Sequence, residues 1–129
     1  MRPALLKPKV AAVEAHASAP SKAAVEAAGA DVCEGFRPLV AKYDWNVDIA
    51  MAVMKAESGC NPKNFNYNTD GTNDAGLFQN NSIHDATDRR YDPEYNVALA
   101  YRIYKDRRSW DISGWRAWTS CWDGKVKCY

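Results

Sequence analysis

Phe36, Leu39, Val40 and Tyr43 stand at i, i+3, i+4 and i+7, which draws one apolar face and predicts a first helix from about Cys33. A second helix is predicted over "VDIAMAVMKAES". Asn46 stands in its N-cap position, Asp48 suits its first turn, and Gly59 and Pro62 stop it. Residues 66–82, "NYNTDGTNDAGLFQNNS", then carry no helical period. Their Asn, Asp, Thr and Gly read as turns and short strands, a hairpin whose return runs through Gly76 to Gln79. "SIHDAT" reads as a single helical turn. Asp92-Pro93 opens a stronger helix, "PEYNVALAYRIYKDRR". Its apolar positions form two stripes, Tyr95, Leu99 and Ile103 on one and Val97, Tyr101 and Tyr104 on the other, so it is expected to be buried on several sides. Ser113-Gly114 precedes a short aromatic turn, "WRAW". The pattern is α+β, mainly α, with a small β-hairpin.

Residues 1–32 break this pattern. They are rich in Ala, hold three prolines and no aromatic residue, and cannot bury much surface. They read as a tail or linker, with a possible helix at "SKAAVEAAGA", and 33–129 as the folded domain. No apolar run is long enough to span a bilayer, and a net charge of +1 argues against a nucleic-acid partner. The four cysteines, Cys33, Cys60, Cys121 and Cys128, fit two disulfides in an oxidising compartment, and without a CxxC pair they do not suggest zinc. Three pairings exist. An antiparallel pair of the first two helices favours Cys33–Cys60, and the Asp-Gly turn in "WDGKVK" favours Cys121–Cys128.

Glu57 shares the apolar stripe of the second helix with Ile49, Val53 and Ala56, at the C-terminal end. Burial and the negative end of a helix both disfavour an ionised carboxylate, so this glutamate is a candidate general acid. An isolated glutamate at a helix end more commonly turns aside to cap or pair, so the spacing alone does not decide. Residues 66–77 also approximate a calcium loop, with Asn66, Asn68, Asp70, Gly71 and Asp74 in register. The bidentate Glu required at the twelfth position is Leu77, and only two carboxylates remain. Turn chemistry accounts for the same residues, and no metal or other cofactor is expected.

From Glu57 to Ser82, "ESGCNPKNFNYNTDGTNDAGLFQNNS" resembles the active-site segment of the chicken-type lysozymes. That segment has a helix-borne Glu-Ser, an Asn-x-Asn-Thr-Asp-Gly turn, a second Asp seventeen residues after the Glu, and a Gly-x-x-Gln-x-Asn-Ser return strand. Asp74 falls at that spacing, and Asn68, Gln79 and Asn81 fall in place. "ESGCNP" and "GLFQ" look closer to bacterial soluble lytic transglycosylases and phage lysozymes, which share the lysozyme-like fold. The chain departs from the animal family in having four cysteines rather than eight, Ala75 after the Asp, and Asn80 in an apolar place. It lacks the later Ala-Tyr-Asn-Ala-Gly run of the transglycosylases.

The resemblance implies a secreted or cell-envelope muramidase, with cell-wall-degrading, antimicrobial chemistry on peptidoglycan or chito-oligosaccharide, working as a monomer. Glu57 would protonate the leaving oxygen, and Asp74 would be nucleophile or electrostatic stabiliser. Asn68, Gln79 and Asn81 would bind sugar or position Asp74, against a purely structural role in the hairpin. Trp115, the first Trp of "WRAW", would wall off Glu57, and Ser58 would cap the helix or orient the acid. His84 and His16 read as structural or exposed, and Arg102, Lys105, Arg107 and Arg108 as a solvated face. The alternatives are a lytic transglycosylase in which Glu57 acts alone, and an idle sugar-binding protein on the same scaffold.

Overall fold

The computed structural model of the chain describes residues 31–109 and 113–129. The helix expected at "SKAAVEAAGA", together with His16 and Trp110, lies outside them. The first predicted helix is two short ones, α1 (Asp31–Glu34) and α2 (Arg37–Val40). Pro38 accounts for the break: it has no N–H, and its ring would crowd the carbonyl four residues back, that of Glu34. The apolar face survives the break, with Phe36, Leu39 and Val40 buried and Tyr43 packed against them.

Helix α3 (Val47–Ser58) starts where expected, the Asn46 side chain accepting from the Ile49 N–H at 3.0 Å. Gly59 ends it in the left-handed region, at φ +66°. Cys33–Cys60 ties α1 to the residue beyond that cap, and Cys121–Cys128 closes the C-terminal loop, so both favoured disulfides form.

The expected hairpin has a third strand. Strands β1 (Phe65–Tyr67), β2 (Asn73–Ala75) and β3 (Asn80–Asn81) are antiparallel in that order. Asp74 lies on the central strand, opposite Asn66 on one side and Asn81 on the other. The return through Gly76 to Gln79 is a turn instead of a strand, because Gly76 (φ +84°) and Gln79 (φ +50°) both reverse the chain. That turn drives Leu77 and Phe78 into the core, where both are fully buried.

"SIHDAT" does not form the expected helical turn. Its Asp85 instead accepts from the N–H and hydroxyl of Thr87, the local side-chain bonding that competes with helix. The helical turn comes later, as a 3₁₀ turn over Asp88–Tyr91. Helix α4 (Pro93–Arg108) follows, with Asp92 as N-cap and Pro93 first in the helix. It is buried on several sides, through Val97, Leu99, Ala100, Ile103 and Tyr104. A 3₁₀ turn, Gly114–Ala117, packs on it and leads to α5 (Thr119–Trp122).

At the centre, Trp45 stacks on Trp115 with ring centroids 5.4 Å apart and donates from its indole N–H to the Val40 carbonyl at 2.9 Å. The chain is therefore a mainly α, α+β fold with a three-stranded sheet at one side. Among the described residues no helix is long and apolar enough to cross a membrane.

Two buried polar side chains fix the sheet to this core. Asn96, in α4, accepts from the Phe78 N–H at 2.8 Å and donates to the carbonyls of Ala75 (2.9 Å) and Arg90 (2.8 Å). Arg90, only 3% exposed, donates to the carbonyl oxygens of Thr87, Asn73 and Asn80 and to the Asn73 side chain. Both hold backbone groups that strand pairing leaves over, so β2 and β3 take their position from α4 and the turn before it.

Candidate active site

Between the sheet and the aromatic turn lies a cleft of about 240 Å³. Glu57 reaches it from the end of α3, Asp74 from the central strand, and Asn68 and Asn81 flank Asp74. Ala117, Trp118 and Thr119 form the facing wall.

The two carboxyls sit in unlike surroundings. Glu57 is half-buried, and that burial is the largest influence on it, raising its pKa above the ordinary glutamate value. The hydroxyl and backbone N–H of Ser120 and the charge of Lys125 act the other way, while the negative Asp74 adds to the rise. Asp74 uses both oxygens as acceptors. Asn81 donates to Oδ1 at 2.9 Å and Asn68 to Oδ2 at 3.1 Å. The same two amides reach Thr72 Oγ1, at 3.1 and 3.0 Å, and Thr72 in turn donates to Asp70 at 2.6 Å. The turn residues that suggested a calcium loop thus serve to brace a carboxyl group that accepts on both of its oxygens.

A sequence profile of the lysozyme-like domain matches residues 40–120, most of the chain and all of this cleft. The chain belongs to the lysozyme-like domain family. Membership places it among peptidoglycan-acting glycosidases and lytic transglycosylases. No curated protein matches it in sequence.

The remaining expected site residues of this lysozyme-like domain fall in different places. Gln79 lines the cleft, but its amide is committed to the protein. It donates to the carbonyls of Asn64 and Gly76, both at 3.0 Å, and accepts from Asn66 at 2.9 Å. Those bonds offset the strain of a non-glycine residue at positive φ, on the order of 1 kcal/mol or more. Ser58 donates to the Met54 carbonyl at 3.2 Å, so its hydroxyl serves its own helix.

Trp115, expected beside Glu57, lies one layer deeper, stacked on Trp45 and against Tyr104. The cleft wall is Trp118, where the chain leaves the 3₁₀ turn in extended geometry. Its indole N–H donates to the Phe78 carbonyl at 2.9 Å, which bridges wall and sheet. His84 also lines the cleft, from the sheet side. Burial, then the nearby Arg102, lower its pKa against the pull of Asp106, which favours a neutral imidazole there. Sequence reading gave Trp118 no role of its own and took His84 as structural or exposed, which it is, because nothing in "WRAW" or "SIHDAT" marks a residue that lines a cleft.

The bracing of Asp74 has a measurable consequence. Asn68→Ala or Asn81→Ala removes one of its two amide donors and leaves Thr72 with one partner fewer. If the carboxylate is held for catalysis, each variant is expected to lower kcat roughly 10-fold with KM changed little, a modest share of what a preorganised donor contributes. Steady-state kinetics on solubilised glycan checks this, and unchanged kcat in both variants would show that the amides serve only the turn.

Proposed function

We propose that this lysozyme-like domain is a muramidase that hydrolyses the β-1,4 bond between N-acetylmuramic acid and N-acetylglucosamine in peptidoglycan. The observation that carries the reading is the pairing in one cleft of two carboxyls with opposed settings, Glu57 with a raised pKa and Asp74 accepting on both oxygens. That asymmetry is what acid-assisted glycoside cleavage requires.

In this mechanism Glu57 gives its proton to the glycosidic oxygen as the C1–O bond breaks, and the aglycone leaves as an alcohol. Asp74 faces the positive charge that develops at C1 and stabilises it, as ion or as covalent partner. Glu57, now ionised, takes a proton from water, whose oxygen bonds to C1 and frees Asp74. Both carboxyls return to their starting states. A lytic transglycosylase would need only Glu57, with the sugar's own 6-hydroxyl in place of water. The amides of Asn68 and Asn81, one on each Asp74 oxygen, favour the two-carboxyl route. The two disulfides support a site of action outside the cytoplasm.

Release of soluble fragments from purified peptidoglycan tests the reading. No release from fully folded protein would favour the idle sugar-binding alternative. The pH profile supplies a second check. The acid must be protonated to act, so kcat/KM falls as pH rises through the Glu57 pKa. Burial raises that pKa, so the alkaline limb is expected clearly above the ordinary glutamate value of about 4.3. A limb at or below that value would contradict Glu57 as a buried acid.

A further inference from the structure

Ser120 lies in α5, which packs against α3, the helix that carries Glu57. It is 4% exposed, and its hydroxyl has no hydrogen-bond partner among the described residues. A buried hydroxyl left without a partner is destabilising. Its backbone is firmly held: the Ser120 carbonyl accepts from the Val126 N–H at 2.8 Å, and the next residue is tied into the Cys121–Cys128 disulfide. Only the hydroxyl is left to adjust. The preceding residue, Thr119, lines the cleft together with Glu57, and the Ser120 hydroxyl and backbone N–H both favour the charged form of the Glu57 carboxyl.

The chemistry of the partner matters here. Glu57 must be a neutral acid before bond cleavage and a carboxylate after it. A donor-only neighbour, such as a lysine, favours the carboxylate alone, and a carbonyl favours the acid alone. A hydroxyl serves both, because it donates and accepts and its hydrogen rotates.

We propose that Ser120 is the positioning residue of Glu57, its hydroxyl accepting from the protonated carboxyl and donating to the ionised one, so that the acid stays aimed into the cleft throughout the cycle. Ser120 neither gains nor loses a proton at any stage. The inference rests on Glu57 being the acid of the proposed reaction.

The test is a titration of the Glu57 side-chain carbon by NMR in the full chain, alongside the Ser120→Ala and Ser120→Thr variants. The hydroxyl's bond to the ionised carboxyl is the stronger of the two, so Ser120→Ala is expected to move the Glu57 titration to higher pH, and the Thr hydroxyl to bring it back. The alkaline limb of kcat/KM should follow the same shifts, with a several-fold fall in kcat for the Ala variant and little change in KM. In the unmutated chain, the Ser120 amide resonance should titrate with the Glu57 midpoint, and that titration should vanish in Glu57→Gln. This last measurement stands even if Ser120→Ala does not fold. An unmoved Glu57 titration in folded Ser120→Ala, or a Ser120 amide indifferent to Glu57, overturns the inference. Activity retained in Glu57→Gln would instead overturn the reading on which it rests.

Discussion

Glu57→Gln is expected to lose wall-cleaving activity by roughly 10²–10⁴-fold, the usual contribution of a general acid, while keeping the fold. The amide has nearly the same shape as the acid but cannot deliver a proton. Stability should move the other way. The folded-state pKa of Glu57 is raised, so the native state holds a proton that the unfolded chain has given up. The carboxyl's contribution is therefore complete below its unfolded pKa and is lost as pH rises through its folded pKa. Glutamine has no such loss. At neutral pH the variant should melt at or above the temperature of the unmutated chain, and in acid the difference should disappear. Clearing of a peptidoglycan suspension, with thermal melts at both pH values, checks both halves. Equal clearing by the two proteins would remove Glu57 from the mechanism. A lower neutral-pH melting temperature would show that its burial is not costly.

Asn96→Leu is expected to cost most of the stability of the domain. The substitution preserves bulk but leaves the Phe78 N–H and the Ala75 and Arg90 carbonyls without the side chain that satisfies them. Each buried orphan costs about 1–3 kcal/mol, and a domain of this size has only about 5–15 kcal/mol in total. Gly76→Ala strikes the same junction from the other side. A Cβ there would lie 2.2 Å from the Arg90 carbonyl oxygen and 2.2 Å from the Asn96 amide nitrogen, at a φ of +84° that disfavours alanine. Urea unfolding with the disulfides intact should show both variants unfolding at much lower denaturant, or not folding at all. A loss under about 1 kcal/mol in Asn96→Leu, the range of an ordinary substitution, would mean that the sheet does not depend on α4.

Features with a local cause were legible in the chain. Asn46 and Gly59 bound α3 because a side-chain acceptor and a left-handed φ are properties of single residues. Asp92 and Pro93 open α4 for the same reason. Of the three cysteine pairings, the one favoured by an antiparallel helix pair for Cys33–Cys60 and by the Asp-Gly turn for Cys121–Cys128 is the one that forms. Pro38 carried a local signal too, but the strong i, i+3, i+4, i+7 pattern around it hid the break. What could not be read depends on partners far along the chain. Asn96 sits mid-helix, where Asn is a mediocre helix former, and its value comes from groups as many as 21 residues away. Arg90 carries no local signal in the sequence, yet it is buried among carbonyls. At the cleft, it was the resemblance of residues 57–82 to the lysozyme active-site segment that implied the pair Glu57 and Asp74. The exchange of Trp115 for Trp118 as wall, and the approach of Ser120, are set by how the aromatic turn docks on α3 and α4. No local pattern encodes that docking.

The structure of the cleaved end tests the central claim most directly. Mass spectrometry of fragments released from purified peptidoglycan, with and without borohydride reduction, separates hydrolysis from internal attack. Two carboxyls working across the scissile bond predict reducible N-acetylmuramic acid ends, absent when Glu57→Gln replaces the unmutated chain. Fragments ending in 1,6-anhydro-N-acetylmuramic acid, which borohydride does not reduce, would contradict that account and leave Glu57 to act without Asp74 as its catalytic partner.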